Sequence, residues 1–301
     1  MDAKRAVFAP VARAAAFVLD RNDRLFRWYR DQSFRGKLFI SEYLERRLRN
    51  GVHECDGLLY DFDFADSVQR SVYLRAYERD ELAFLHRYIQ PGWCCVDVGA
   101  NIGVYTLNLS RWIGASGRVL AIEPSPPCFE RLQRNVALNG VDNCTLGNFA
   151  VSARCEEVTF SLSPGASTGW GRVGEWEWSG GTTRVSARTF DSIIEESGVD
   201  RVDFLKVDIE GHELELLEGA AESLRQGRID RMLIEYCGVS PSAGTLKEFA
   251  ERIGALGFRP VCLNLAKLSA AAGGSDAHDR EVLNLLFERV GLGDEATAGR
   301  G

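Results

Sequence analysis

The sequence predicts an α/β fold: a mostly parallel sheet with helices on both faces and an antiparallel pair of strands at one edge. From residue 93 onward, short apolar runs alternate with amphipathic segments of helical period. The last two apolar runs have no long helix between them, which favours an antiparallel pair. With 301 residues and 45% hydrophobic content, the chain can fill the core of one large domain with an appendage.

The elements follow from this alternation, taken in chain order. Strands are predicted at residues 94–98, 118–122, 145–151, 204–207, 231–235, 261–265 and 282–287. Helices are predicted at residues 102–113, 126–139, 213–224 and 245–256. Residues 157–162 and 183–188 are predicted to pair around a glycine-rich loop that carries Trp170, Trp176 and Trp178. That loop either folds over a bound sugar or planar ligand, or it packs on the domain as part of a hairpin.

The N-terminal segment differs in charge from the rest of the chain. Residues 1–50 are predicted to be helical and hold 12 Lys and Arg against 6 Asp and Glu, although the whole chain carries a net charge of −7. Aromatic residues interrupt the basic ones, but the apolar positions do not fall on one clean face. We leave three uses open: contact with an anionic membrane surface, packing on the domain, and an oligomer contact.

A small hairpin at residues 51–66 and a helix at residues 67–89, which stops at Pro91-Gly92, complete the first part of the chain. The predicted domains are a helical extension with hairpin (1–66), a main domain (67–291) and a disordered tail (292–301).

Composition narrows the functional classes. The net charge of −7 argues against nucleic-acid binding through bulk electrostatics. Eight cysteines occur without a Cys-x-x-Cys pair, a pattern that favours buried thiols in a reducing compartment. The apolar run at residues 11–19 is far shorter than the roughly 20 residues of a bilayer-spanning helix. We therefore expect a cytoplasmic protein, with peripheral membrane contact through the basic arm as the alternative.

The strongest local motif is VDVGANIG at residues 96–103. It predicts a buried strand that ends in a glycine turn and opens a helix, the geometry that brings a backbone close to a nucleotide-like ligand. Gly99, Asn101 and Gly103 would shape this turn, which we call the donor loop (residues 99–103). The next strand ends at Glu123-Pro124, where a carboxylate can accept hydrogen bonds from both ribose hydroxyls.

The donor loop departs from a dinucleotide fingerprint. Asn101 stands where Gly-x-Gly-x-x-Gly has its middle glycine, and Asp97 precedes the turn. A carboxylate at Asp97 would repel a pyrophosphate but suits a ligand with a cationic centre and an ammonium group. S-adenosylmethionine is such a ligand, so the residues favour a methyl-donor site. The alternatives are an NAD-dependent oxidoreductase and a turn with only a structural role.

A second motif, KVDIEGHE at residues 206–213, is more specific. Together with the donor loop, Glu123-Pro124 and Asn135, it resembles the FkbM family of S-adenosylmethionine-dependent methyltransferases over about residues 75–260. The resemblance implies a class I methyltransferase fold with a seven-stranded, Rossmann-like sheet. It also implies methyl transfer to a hydroxyl of a sugar, glycolipid, polysaccharide or natural product. In this family's pattern, residues near Ala150 contact adenine, and Glu78 lies near the donor loop. The alternative is that Glu78 is a solvent-exposed helix residue with no role in the site.

The second motif supplies the candidate catalytic residues. Ligands of open α/β sheets bind beyond the carboxyl ends of the strands, so we expect Asp208 and Glu210 at the site's mouth, opposite the donor loop. Lys206 would be held in its charged form by Asp208, Glu210 and Glu213. Either Asp208 or Glu210 takes the acceptor's proton, or the group is an ion-pair cluster that fixes the end of the strand.

Two further assignments stay open at the level of sequence. His212 has a pKa suited to a general base, although a histidine at a helix start is as often a surface residue. We expect no metal, but Asp208 and Glu235 would be the ligands if Mg²⁺ binds. The partner would be a small-molecule or glycan acceptor, and a homo-oligomer is compatible with the sequence. A non-catalytic module that only binds S-adenosylmethionine is a further alternative.

Overall fold

The computed structural model describes residues 3–32, 37–44, 47–163, 169, 171–176, 180–237, 245–261 and 282–291. The chain divides into two compact units, which are Met1–Ala83 with Gly165–Gly169, and Phe84–Pro164 with Trp170–Gly301. The domain boundaries expected after residues 66 and 291 stay predictions. The tail predicted at residues 292–301 lies outside the described residues.

The N-terminal unit contains helices and one hairpin, as predicted. Its elements are α1 (Ala3–Arg21), α2 (Asp23–Asp31), α3 (Lys37–Ser41), β1 (Gly51–Cys55), β2 (Leu58–Phe62) and α4 (Ser67–Tyr73). The single helix predicted at residues 67–89 is wrong, because the chain leaves α4 and starts again as α5 (Arg79–Tyr88). In the break, Arg75 and Glu78 have φ angles of 54° and 38°, which a right-handed helix cannot contain.

A buried lysine donates hydrogen bonds to backbone carbonyls at the ends of helices in this unit. Lys37 is 3% exposed, and its ammonium donates to the carbonyls of Arg30, Gln32 and Leu74 at 2.7, 2.6 and 2.5 Å. Burial lowers the pKa of Lys37 to about 8. Carbonyl oxygens at helix ends lack partners within the helix, so this ammonium satisfies groups that would otherwise be buried unpaired.

The second unit is built on the predicted seven-stranded sheet. Its strands are β3 (Cys94–Val98), β4 (Arg118–Ile122), β5 (Cys144–Gly147), β10 (Phe204–Val207), β11 (Arg231–Cys237), β12 (Phe258–Val261) and β13 (Val282–Arg289), in the order β12-β13-β11-β10-β3-β4-β5. Strands β11, β10, β3, β4 and β5 pair in parallel, and β13 pairs antiparallel with both β11 and β12. The Rossmann-like, mostly parallel architecture is confirmed. The antiparallel strand lies second from the edge.

Helices lie on both faces of the sheet. They are α6 (Val104–Ile113), α7 (Pro126–Leu138), α8 (Phe190–Ser197), α9 (Glu213–Gly219), α10 (Ala221–Arg225) and α11 (Leu246–Ala255). Val96 and Val98 of β3 share a buried apolar cluster with α8, α9 and α11. Asp97, between them, contacts Thr106 of α6 instead. This alternation follows from the two-residue period of a strand.

Three predicted elements of this unit need correction. The strand predicted at 145–151 is two strands, because β5 ends at Gly147 and β6 (Ala150–Val151) joins a second sheet with β7 (Glu156–Ser161), β8 (Arg172–Val173) and β9 (Thr182–Arg188). The helix predicted at 213–224 divides at Ala220 into α9 and α10. The strand predicted at 261–265 occupies Phe258–Val261, and residues 262–265 lie outside the described part of the chain.

Candidate functional site

Three left-handed residues give the donor loop its shape. Gly99, Asn101 and Gly103 have φ angles of 84°, 50° and 94°. A Cβ at position 99 would lie 1.8 Å from the backbone oxygen of Asp208, so only glycine fits there. Asn101 is one of the few other residue types that tolerate such a backbone. Gly103 caps α6, and a Cβ there would lie 2.7 Å from Leu132.

Glu123 ties the donor loop to the end of β4. Its carboxylate accepts from the backbone N–H groups of Asn101 and Ser125, both at 2.8 Å. Burial nevertheless raises the pKa of Glu123 to about 7. The Asn148 amide donates to the carbonyls of Glu123 and Pro124 at 2.8 and 3.2 Å. The predicted residues Asn101, Glu123 and Pro124 are thus joined, and Ala150 follows Asn148 by two residues.

Other groups of the protein compensate for the burial of the Asp97 carboxyl group. It is 1% exposed and accepts a hydrogen bond from the Thr106 hydroxyl at 2.6 Å. Burial raises its pKa, against the Lys206 ammonium and the Thr106 hydroxyl, which lower it. The register sets Lys206 on β10 directly beside Asp97 on β3. The positive charge that the sequence analysis assigned to a ligand beside Asp97 is therefore supplied, at least in part, by Lys206.

Three polar residues lie in register at one edge of the sheet, just after β10, near the carboxyl end of β11 and near the amino end of the antiparallel β13. Val207 is in register with Val98 on β3 and with Ile234 on β11, so Asp208 follows between Gly99 and Glu235. Glu235 is itself in register with Asn284 on β13. Adjacent strands lie about 5 Å apart, and residues in register project to the same face. Asp208 therefore lies beside the donor loop rather than opposite it. We call Asp208, Glu235 and Asn284 the polar row.

Two members of the polar row, Asp208 and Glu235, interact with each other and with a buried lysine. Lys206 is 1% exposed, and its Nζ lies 2.9 Å from Oδ2 of Asp208. Burial raises the pKa of Glu235 far above its ordinary range, and the charge of Asp208 raises it further. Burial also disfavours the charged form of Asp208, but Lys206 and a hydrogen bond from Glu235 outweigh it and lower the pKa. Asp208 is therefore the ionised member and Glu235 the protonated one.

Asn284 is a candidate site residue that the sequence analysis missed. It is 9% exposed, and its Oδ1 has no hydrogen-bond partner among the residues that the structure describes. Such a buried acceptor is costly unless a ligand or water satisfies it. The only signal in the sequence is one amide in an otherwise apolar strand, VLNLLF at residues 282–287.

Glu210 and Glu213 have partners of their own. Glu210, with φ of 56°, pairs with Arg172 at 3.0 Å, and the Arg172 guanidinium lies 4.9 Å from the Trp176 ring centre. Burial, and then the charge of Asp208, raise the pKa of Glu210 to about 7. Glu213 accepts from the N–H of Gly211 at 2.9 Å. The Trp176 indole donates to the Val173 carbonyl at 3.3 Å and so packs on β8. Trp170 and Trp178 lie outside the described residues.

His212 lies at the start of α9 and turns toward β6. Its Nε2 is 3.0 Å from the Ser152 hydroxyl, and its Nδ1 is 3.6 Å from the Glu215 carboxylate. Burial lowers the pKa of His212, against the opposing effect of Glu215, so the ring is neutral at pH 7. A neutral imidazole can accept a proton, but its contacts in the structure are with Ser152 and Glu215.

Two predictions concern residues beside this site. Glu78 belongs to the N-terminal unit, in the turn before α5, and its place near the donor loop stays a prediction. Asp208 and Glu235, the ligands predicted for a bound Mg²⁺, are adjacent, and the Lys206 ammonium is a cation already in contact with Asp208.

In the part of the chain that the structure describes, no helix is both long and apolar enough to cross a bilayer.

Comparison with known proteins relates the chain to a family and to named relatives. The family model described as the methyltransferase FkbM domain matches residues 97–260. The methyltransferase sdnD of Sordaria araneosa is 33% identical over 156 residues, which are 42% of this chain and 60% of that protein. The hexuronic acid methyltransferase AglP of Haloferax volcanii is 30% identical over 165 residues, which are 54% of this chain and 64% of that protein.

These matches span less than two thirds of either relative's length. Among solved structures, an S-adenosylmethionine-dependent methyltransferase of Aquifex aeolicus aligns with 69% of this chain and 88% of its own, at 16% identity and a TM-score of 0.39. The family match covers more than half of the 301 residues, including the donor loop, Glu123 and the KVDIEGHE motif. The chain belongs to the FkbM methyltransferase family.

Proposed function

We propose that the protein is an S-adenosylmethionine-dependent O-methyltransferase that acts on a hydroxyl of a sugar, glycolipid, polysaccharide or natural product. One observation carries the proposal. Gly99 abuts the backbone of Asp208, so the donor loop and an ionised, cation-paired carboxylate open at the same edge of the sheet. Methyl transfer needs the donor and the acceptor oxygen in line and in contact, and the adjacency of the donor loop and Asp208 supports such an arrangement.

The residues of the donor loop fit S-adenosylmethionine, which supplies an activated methyl group on a sulfonium. The Glu123 carboxylate would accept hydrogen bonds from the ribose hydroxyls. Oδ1 of Asn101 is buried and has no partner among the described residues, which suits the ammonium of the methionine end. Asp97 adds negative charge beneath the loop, although Lys206 offsets part of it. A diphosphate would find two buried carboxylates here, which disfavours an NAD-dependent oxidoreductase.

Asp208 is the proposed acceptor of the hydroxyl proton. It is ionised, 18% exposed at its side chain and adjacent to the donor loop. Lys206 and Glu235 hold its carboxylate in place and keep it charged. The sulfonium is a good leaving group, so a weak base placed on the hydroxyl is sufficient. Glu210 and His212 remain alternative bases, and both are engaged with other partners, Arg172 and Ser152.

Asn284 supports an acceptor with more than one hydroxyl. Its unsatisfied Oδ1 lies two positions along the polar row from Asp208, about 10 Å across the strands. With a hydrogen bond of about 2.8 Å at each end, a sugar ring can span this separation, so one hydroxyl can face Asp208 while another donates to Asn284. That AglP is named a hexuronic acid methyltransferase also supports a sugar-containing acceptor.

We place the reaction in the cytoplasm. Cys55, Cys94, Cys95, Cys128, Cys144 and Cys155 are free thiols in the structure. A reducing compartment keeps thiols in this form.

Isothermal titration separates the donor hypotheses. We expect S-adenosylhomocysteine to bind and NAD not to bind. At pH 8, above the raised pKa of Glu123, we expect Glu123→Gln to weaken the binding by at least about tenfold, because a charged acceptor is lost. The exposed-site variant Glu222→Gln is the matched control and keeps wild-type affinity. Binding of NAD alone would reverse the assignment.

A screen of glycosides with labelled donor then tests turnover. Labelled methyl should appear on an acceptor oxygen with the wild type and not with Asp208→Asn. Donor binding without transfer to any acceptor class named above would favour the non-catalytic module.

A further inference from the structure

Exposed apolar side chains are concentrated in the first two helices. Ten large apolar side chains are exposed among the described residues, and six of them lie between residues 8 and 28. These six are Phe8 (59%), Val11 (67%), Phe17 (58%), Val18 (49%), Leu25 (42%) and Trp28 (59%). Scattered exposed apolar residues are ordinary, but a group confined to one short segment marks an interaction surface.

The two helices each carry a buried and an exposed apolar stripe. On α1, Ala12, Ala16 and Leu19 are buried, at spacings of four and three residues. Phe8, Val11 and Val18 are exposed, and at about 100° per residue they form a second stripe, roughly a quarter turn away. On α2, Phe26 and Tyr29 are buried while Leu25 and Trp28 are exposed. The apolar positions of this segment do not fall on one face in the sequence because they serve two.

Both helices that carry the exposed stripes also carry exposed arginines. Arg13, Arg21, Arg24 and Arg27 are all exposed. The exposed acids of the two helices, Asp23 and Asp31, are paired with Arg47 and Arg75 at 2.5 and 2.6 Å. The Arg21 guanidinium lies 3.6 Å from the ring centre of the exposed Phe17. Apolar and aromatic side chains flanked by arginine suit the boundary between lipid headgroups and acyl chains.

We propose that α1 and α2 bind the surface of an anionic lipid bilayer, with Phe8, Val11, Val18, Leu25 and Trp28 inserted and the arginines at the headgroups. A second copy of this chain is the weaker fit, because two identical basic faces repel each other. The proposal is independent of the methyl-transfer assignment, since it concerns only the N-terminal unit. An acceptor held at a membrane surface would be presented to an enzyme bound there.

Vesicle flotation of the full chain tests the proposal. The probes are vesicles of phosphatidylcholine alone and of phosphatidylcholine with one quarter phosphatidylglycerol. We expect binding to the anionic vesicles that exceeds binding to neutral ones by at least about tenfold, because each arginine near the surface contributes. Val11→Glu/Val18→Glu should reduce binding to anionic vesicles by at least about tenfold, because it places charge in the apolar stripe.

A matched control changes the same residue type elsewhere. Val52→Glu/Val290→Glu alters two valines of similar exposure, 51% and 64%, and should bind vesicles like the wild type. Circular dichroism verifies that both double variants are folded. Wild type that stays unbound to anionic vesicles, or Val11→Glu/Val18→Glu that binds like wild type, overturns the proposal. So does a dimer that Val11→Glu/Val18→Glu converts to a monomer without any vesicle binding, since the face would then be a contact between copies.

Discussion

Replacing Gly99 by alanine tests the contact between the donor loop and Asp208. Gly99 has φ of 84°, and a Cβ there would lie 1.8 Å from the Asp208 oxygen and 2.8 Å from its carbonyl carbon. To reach a 3.0 Å contact, the donor loop and the end of β10 must separate by about 1.2 Å. The backbone hydrogen bond from Asp208 N–H to the Val98 carbonyl, 3.0 Å long, resists that movement.

The chain offers a control with the same backbone angle. Gly92 also has φ of 84°, but a Cβ there meets only the Ser116 hydroxyl, at an ordinary 3.5 Å. Gly92→Ala should therefore cost only the left-handed backbone strain, about 1–2 kcal/mol. Gly99→Ala adds the cost of forcing packed groups apart, about 1–3 kcal/mol more. The difference between the two variants isolates the contact with Asp208.

Urea denaturation measures the free energies of unfolding, and titration with S-adenosylhomocysteine measures donor binding. Gly99→Ala should also lose at least about tenfold in donor affinity, because a displacement of this size misplaces the binding groups. Gly92→Ala should bind the donor like the wild type. If the two variants lose equal stability and Gly99→Ala keeps its donor affinity, the donor loop does not depend on its packing against Asp208.

Other variants test the remaining groups of the site. Burial raises the pKa of Glu213 from 4.5 to about 7, so the folded state loses stability as the pH rises through that range. In urea titrations, Glu213→Gln should therefore be more stable than wild type by up to about 3 kcal/mol at pH 8. At pH 4 the two proteins should be equally stable. Asp208→Asn should slow turnover by at least about 100-fold while titration shows donor affinity close to wild type; full activity would make this carboxylate structural. Asn284→Leu should raise the KM for a polyhydroxyl acceptor while leaving donor affinity and unfolding free energy unimpaired, and an unchanged KM would remove Asn284 from the acceptor site.

The sequence predicts the centre of the sheet well. The strands there are short apolar runs, bounded by glycine or proline residues and by helical segments. The bounds of β3, β4 and β10 agree with the prediction. The predicted strand at 145–151 fails because residues on both sides of Asn148 are strand-like, and only tertiary contacts assign them to two sheets. The break at 74–78 contains no glycine or proline, so the left-handed turns at Arg75 and Glu78 leave no local signal.

The same distinction applies to the site. Asp97, Glu123 and Asp208 stand in or beside local motifs, and residue type and spacing are enough to select them. Asn284 and Arg172 carry no motif, and they reach the site only through strand register and an ion pair. Which carboxyl is ionised also depends on contacts that spacing does not encode.

The central claim is that the donor loop binds S-adenosylmethionine next to Asp208. A crystal structure with S-adenosylhomocysteine tests it most directly. The account predicts ribose hydroxyls within hydrogen-bonding distance of the Glu123 carboxylate and the amino group at Oδ1 of Asn101, with the sulfur facing Asp208. Ligand bound away from the donor loop, or a diphosphate accepted there in its place, would contradict it.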